Sequence, residues 1–326
     1  MLEVLTERGV SMPLTTQPPP DEVVADLTRL SAALDTTIPR RRSSNLLVGT
    51  WNIRACANLT AKWEAAEDDS PKRDWHAVAC LAEVIRRFDV VAIQEVRRAT
   101  SALQAVIEAL GPRWEVIASD VTEGSAGNGE RLSFVYDSSR VRPSGLVGEI
   151  VLPPTADGPA DQFARTPYVA SFQRKHVEFV LATVHVVWGA RPADRLPEIT
   201  AFAEWMRTWA RRKDDWNQNL LVLGDFNLDR IGDPLFEAFV ATGLWPPAEL
   251  NDVPRTIFDN DRTRHFYDQI AWFSSPTGKS LLSGLEYTHR GGSFDFVPHV
   301  FDGLTLNQMS WRMSDHYPLW TEFAVA

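Results

Sequence analysis

The stretch Leu221-Val-Leu-Gly-Asp-Phe-Asn-Leu-Asp-Arg230 runs apolar and then turns polar at Gly224, with Asp225 and Asn227 separated by a single Phe. A strand entering an Asp- and Asn-rich turn accounts for this locally, because both side chains hydrogen-bond their own backbone. A strand end that presents two reactive side chains together accounts for it equally well. The rest of the chain decides between these readings.

The same event recurs. The apolar run Leu46-Leu-Val-Gly-Thr-Trp51 ends in Asn52, and Asp89-Val-Val-Ala-Ile93 ends in Gln94-Glu95. A strand over 177–184 carries Thr183 and runs into His185, a late strand begins Tyr267-Asp268-Gln269-Ile270, and Ser314-Asp315-His316-Tyr317-Pro318 precedes the last strand. Each has a dull local explanation. Together, carboxylates, carboxamides and imidazoles at successive strand ends are the parts needed to hydrolyse a phosphate ester. That chemistry wants hard oxygen ligands for Mg²⁺ or Mn²⁺, here Glu95 with Asp315. It also wants a group that activates water and donors that steady charge on the phosphoryl oxygens. A His paired with a carboxylate is fixed in tautomer and orientation.

Around these motifs, strands are expected near 46–51, 89–93, 114–118, 131–137, 145–152, 163–173, 177–186, 219–224, 266–273 and 317–325. Helical spacing is expected over 22–34 (capped by Asp21), 73–87, 99–110 (stopped by Gly111-Pro112) and 195–212. The residues after Gly243 and much of 288–314 read as loop, and residues 1–20 as an irregular tail. Strands alternating with helices argue α/β, while adjacent strands in the middle third argue antiparallel pairing. Residues 1–44 read as an extension with one short helix and a solvated Arg40-Arg41-Arg42 linker, and 45–326 as one domain.

Composition narrows the partners. A chain of 326 residues, 44% hydrophobic and 23% charged, has the balance of an ordinary globular protein. The net charge of −10 opposes a storage-type nucleic-acid binder, so any polyanion must be held locally, by a few Arg and a metal ion. Cys56 and Cys80 carry no metal-binding spacing, which suits a reducing compartment. No apolar run approaches the roughly 18–20 residues of a membrane span, and acids at Glu3 and Glu7 oppose a signal peptide. A cytoplasmic protein with no stable membrane association is expected.

The motifs Thr50-Trp-Asn52-Ile, Ile93-Gln-Glu95-Val, Thr183-Val-His185, Gly224-Asp225-Phe-Asn227, Tyr267-Asp268-x-Ile and Ser314-Asp315-His316-Tyr-Pro318 resemble, in order, those of the endonuclease/exonuclease/phosphatase superfamily. The resemblance spans residues 46–325 and implies a four-layered α/β/β/α sandwich of two mixed, largely antiparallel sheets, with the site at one rim. It implies Glu95 as principal metal ligand with Asn52 and Asp315 beside it. Asp225 and Asn227 then orient or deprotonate water and contact the phosphate. His316, held by Asp268, faces the phosphate, and His185 is the second imidazole. The ion implied is Mg²⁺ or Mn²⁺, with Ca²⁺ a further candidate.

Several details are similar to the deoxyribonuclease I branch. Gly129-Glu130-Arg131-Leu132 makes Glu130 the expected partner of His185, and Phe163-Ala-Arg165-Thr-Pro167 makes Arg165 an expected phosphate contact. The branch implies a nuclease acting on DNA, helped by cations among Arg97, Arg98, Arg165, Arg174, Lys175, Arg262 and Arg264. Departures concern the substrate: disulfides are missing, Gln269 stands where an Arg is usual, and Glu64–Asp69 is a distinctive acidic loop. The alternatives are a sphingomyelinase-like or other small-phosphoester hydrolase and an inactive scaffold; Trp188, Trp245 and Trp311 offer an apolar rim for lipid or for stacked bases. The scaffold is disfavoured because every acid and imidazole of the pattern is kept.

Overall fold

Alternation along the first strand sets up the layers. Leu46 and Val48 belong to one buried cluster and Leu47 and Trp51 to another, so the strand has apolar faces on both sides and must lie between two packed layers. The computed structural model describes residues 17–154, 161–212, 215–216, 219–260, 264–275 and 277–326. Two six-stranded sheets carry the fold. The first contains β1 (Asn45–Cys56), β2 (Val90–Arg97), β3 (Trp114–Ala118), β4 (Glu130–Asp137), β11 (Leu285–Ser293) and β12 (Leu319–Val325), in the order β11-β12-β1-β2-β4-β3. The second contains β5 (Arg142–Glu149), β6 (Tyr168–Arg174), β7 (Val177–His185), β8 (Leu220–Asp225), β9 (Leu244–Trp245) and β10 (Asp268–Phe273), in the order β5-β6-β7-β8-β10-β9.

The inner faces meet through Val48, Phe134, Phe172, Leu181, Leu223 and Phe323. On the outside of the first sheet lie α1 (Asp21–Thr37), α2 (Trp75–Ile85) and α3 (Ser101–Leu110), whose apolar sides share a cluster with Trp51, Val91 and Ile93. A short α4 (Gly124–Gly127) follows β3. Outside the second sheet, α5 (Leu196–Ala210) and α6 (Pro234–Val240) pack on Val180, Val222 and Ala271. The four layers are therefore helix, sheet, sheet, helix.

Among the described strands, only β1–β2 and β7–β8 are parallel; the other neighbours run antiparallel. This pattern positions the site. The carboxyl ends of β1, β2, β7 and β8 and the amino ends of β4, β10 and β12 all reach one rim.

Two expectations are corrected. The loop assigned to 288–314 contains most of β11 and α7 (Leu306–Ser310). The segment before Gly243, given no element from sequence, contains α6, capped by the Asp233 carboxylate. Asp21 lies in the first turn of α1 behind Pro20 and makes no side-chain cap. Residues 21–37 also pack closely: Val23, Leu27, Leu30 and Leu34 join the same core cluster as α2. Both cysteines are free and buried. Among the described residues, no helix is long and apolar enough to cross a membrane.

Candidate active site

The local backbone is specialised where the strands reach the rim. Gly224, at φ +139°, lets β8 close on β7; a Cβ there would come 2.2 Å from the Val184 carbonyl oxygen. Glu95 sits in the left-handed region at φ 60°, inside a register shift on both sides of β2. A bulge re-aims a side chain, and a non-glycine residue held at positive φ stores about 1–3 kcal/mol that surrounding contacts must offset. Asn227, at φ 51°, adopts the same conformation at lower cost.

Across the second sheet, His185, Asp225 and Asp268 are direct partners in register, so β7, β8 and β10 present one row of side chains. The first sheet faces that row with Asn52, Glu95 and Glu130. Asp225 Oδ2, buried at the centre, accepts from Asn52 Nδ2 at 3.0 Å and lies 3.5 Å from His185 Nε2 and 3.8 Å from His316 Nε2. Each imidazole is held from behind. His185 Nδ1 is 2.7 Å from Glu130 Oε2, and His316 Nδ1 is 2.7 Å from Asp268 Oδ2. Asn52 Nδ2 also donates to Glu95 Oε1 at 3.2 Å, and Ala55 N donates to Glu95 Oε2 at 2.9 Å. Arg165 Nε meets Glu130 Oε2 at 2.7 Å, and Arg97 Nη1 meets Glu130 Oε1 at 3.4 Å. Asn227 donates its backbone N–H to Asp225 Oδ1 and its carboxamide nitrogen to the Val186 carbonyl.

The electrostatics follow from this arrangement. Burial pushes Glu130 up, but the His185 hydrogen bond and the charges of His185, Arg165 and Arg97 outweigh it and hold the carboxyl at about 2. Burial likewise raises Asp225, yet His316, His185 and Asn52 bring it below the ordinary carboxylate range. His185 is raised because Glu130 and Asp225 overcome burial and the opposing Arg165 charge. Burial lowers His316, but Asp268, Asp225 and Asp315 raise it well above the usual imidazole value. Asp268 is pushed up to about 6 by burial against the pull of His316. At neutral pH the centre is thus an ionised Asp225 between two imidazoles biased toward the charged form.

Asp315, in the segment before β12, has its carboxylate 3.5 Å from Arg54 Nη1. Two oxygens bear on a cation: Asn52 Oδ1 and Asp315 Oδ1 are buried with no hydrogen-bond partner among the described residues. Among those residues, no three His, Cys, Asp or Glu side chains form a ready cation cage. A site of one or two carboxylates and an amide oxygen suits Mg²⁺, which keeps several of its waters.

Sequence reasoning missed the groups beneath the site. Arg73, buried, donates to the carbonyls of Arg54, Ala55, Arg312 and Met313, stapling the turn behind Glu95 to the segment before Asp315. Arg255, also buried, donates to the carbonyls of Asp268, Val253 and Leu250. Ser314 Oγ donates to the Asn52 carbonyl and accepts from His316 N. Gln94 bridges the sheets below the site, its Nε2 donating to Thr50 Oγ1 and Thr183 Oγ1. No spacing rule finds an arginine such as Arg73, two of whose acceptors are carbonyls some 240 positions away; Ser314 and Gln94 stood within the sequence motifs, but without these bonding roles.

Of the suggested surface cations, Arg97 and Arg165 reach the site. Arg174 and Lys175 lie at the opposite rim, where they hold the Arg42 and Val325 carbonyls. That is because β6 runs antiparallel to β7 and ends away from the site. Arg98 pairs with exposed Glu123, Arg264 reaches the Asp252 carbonyl, and Arg262 lies outside the described residues.

The sequence profile of the Endonuclease/Exonuclease/phosphatase family matches residues 49–316. The chain belongs to this family. Among its relatives in that family, the "Deoxyribonuclease" of Thioalkalivibrio sp. (strain K90mix) is 30% identical over 196 residues, 59% of this chain. The match spans about half of that relative, 48% of its length. Bovine "Deoxyribonuclease-1" is 24% identical over 257 residues, 73% of this chain and 82% of its own. A solved family protein from Bacteroides thetaiotaomicron superposes with a TM-score of 0.56 at 20% identity, covering 87% of this chain and 98% of that one, which shows the shared fold.

Proposed function

We propose that the protein is a divalent-metal-dependent phosphodiesterase that hydrolyses DNA by in-line attack of water. The observation that carries this reading is the Asp225 carboxylate, held ionised between two imidazole Nε2 atoms and the Asn52 amide at the rim. Kinship to proteins named deoxyribonuclease supports DNA as the substrate. Residues 45–326 carry this chemistry, and α1 braces the layer outside the first sheet.

Glu95, Asn52 Oδ1 and Asp315 are the residues that would hold Mg²⁺ or Mn²⁺. Such an ion, when bound, supplies positive charge to the phosphoryl oxygens and eases ionisation of water. The chain's own groups do the rest. Asp225 orients the attacking water and accepts its proton. Asp268 and Glu130 accept from the Nδ1–H of His316 and His185 and favour the charged imidazoles, and in that charged form each ring presents an Nε2–H to the phosphoryl and leaving oxygens. The Asn227 carboxamide has a second hydrogen for a phosphoryl oxygen. Arg165, though bound to Glu130, adds positive charge beside His185. The buried thiols Cys56 and Cys80 fit a reducing compartment.

Purified protein with Mg²⁺ or Mn²⁺ is expected to cut plasmid DNA, to stop with EDTA, and to lose the activity in His316→Ala without unfolding. Full activity in His316→Ala, or turnover of sphingomyelin but not DNA, would refute the assignment.

A further inference from the structure

Two large exposed side chains flank this centre without a role in the chemistry above. Trp188 is 52% exposed and Trp311 is 44% exposed. They come from opposite sides of the seam: Trp188 follows β7 of the second sheet, and Trp311 precedes β12 of the first. Each carries an arginine on its ring, with the Arg195 guanidinium carbon 4.0 Å from the Trp188 centroid and that of Arg54 3.9 Å from the Trp311 centroid. The same arginines hold the site. Arg195 donates to the Asn227 carbonyl at 2.7 Å and to the Trp188 carbonyl at 2.7 Å, while Arg54 lies 3.5 Å from Asp315. Each ring is thus backed by a cation and coupled to a residue of the reaction centre.

We infer that Trp188 and Trp311 are stacking platforms for two nucleobases of an unpaired strand, one on each side of the scissile phosphate. The inference rests on the phosphodiesterase reading and names its substrate class. A base has two π faces and stacks on any flat ring, and a neighbouring guanidinium strengthens the contact. A duplex offers no such face, since its bases already stack on one another and present only groove edges and phosphates. Two indoles bordering one phosphate position therefore select a strand whose bases are splayed. A lipid surface fits less well: a Trp311 ring inserted among acyl chains would draw the partly exposed Arg54 guanidinium with it, and burying that charge in hydrocarbon is costly, whereas Arg195 stays buried beside Asp229. Trp245 does not belong to this pair. It lines a separate cavity of about 1210 Å³ at the sheet edge, with Trp272 and Tyr287.

The test uses a labelled DNA strand, the same strand annealed to its complement, and the same strand with abasic residues flanking one scissile position. With Mg²⁺, kcat/KM on the intact single strand is expected to exceed that on the duplex and on the abasic strand by on the order of tenfold. In Trp188→Ala and Trp311→Ala the intact-to-abasic ratio falls toward one, and Trp→Phe at either position retains most of it. A duplex cut as fast as the single strand, or a ratio unmoved in both Ala variants, overturns the platform. Faster turnover of sphingomyelin vesicles than of any strand overturns it in favour of a lipid. If no strand is cut with any divalent ion, the reading of the centre fails instead. Quenching of tryptophan fluorescence by the intact strand in EDTA then decides the platform: a quench lost in the double Ala variant supports it, and an unchanged quench overturns it.

Discussion

Replacing Glu130 by Gln removes one charge from beneath His185 with little change of shape. The carboxyl is buried, faces His185, Arg165 and Arg97, and has its pKa held at about 2, against 4.5 for an ordinary Glu. A gap of that size corresponds to about 3 kcal/mol of folding stability at pH 7, the lower end of what breaking a buried pair costs. The sign follows from the depressed value. The contribution is complete above the unfolded pKa and is lost as pH falls through the folded one, so it shrinks to about 2 kcal/mol at pH 3.5 and continues to fall toward pH 2. Urea unfolding of wild type and Glu130→Gln at pH 7, 5 and 3.5 reads this directly. A difference of about 3 kcal/mol that narrows as the solution is acidified supports the ion-pair account. The same difference at every pH would mean that Glu130 acts by packing, and the electrostatic reasoning would be wrong.

Asp268→Asn removes the carboxylate that most raises His316, so the alkaline limb of the kcat/KM profile moves to lower pH; an unmoved limb would separate that limb from His316. Asp225→Asn lowers kcat by on the order of 10²–10⁴ and, because it removes a buried carboxylate set between two imidazoles, also lowers the denaturant midpoint; turnover measured where circular dichroism shows the variant folded isolates the catalytic loss. Arg73→Met leaves four backbone carbonyls without their donor. It costs about 3 kcal/mol or more and raises the Mg²⁺ concentration for half-maximal activity, measured by metal titration. Gly224→Ala drives a Cβ against the Val184 carbonyl and destabilises by about 2 kcal/mol or more, read from the melting curve.

Much of the fold was legible because its central strands β1, β2, β4, β7 and β8 are buried on both faces and read as plain apolar runs. β11 escaped because Leu285-Glu-Tyr-Thr-His-Arg-Gly-Gly-Ser293 is an edge strand, mostly solvent-facing and interrupted by a register shift between Tyr287 and Gly291. Such a strand shows little hydrophobic period. α6 escaped through its shortness, although Asp233-Pro234 is a sound start signal and Asp233 does cap it. The residues gathered at the rim were visible in sequence because strand ends repeat one chemistry. Arg73 and Arg255 were not, since a guanidinium that satisfies backbone carbonyls leaves no pattern of partners along the chain.

The proposed chemistry needs one centre in which Glu95 and Asn52 would hold a divalent ion beside the Asp225 carboxylate. Calorimetric titration of Mn²⁺ into wild type, Glu95→Gln and Asn52→Ala measures that centre without relying on turnover. Saturable binding in wild type that weakens at least tenfold in both variants, with folding intact, is the expected result. Equal binding in all three proteins would contradict it.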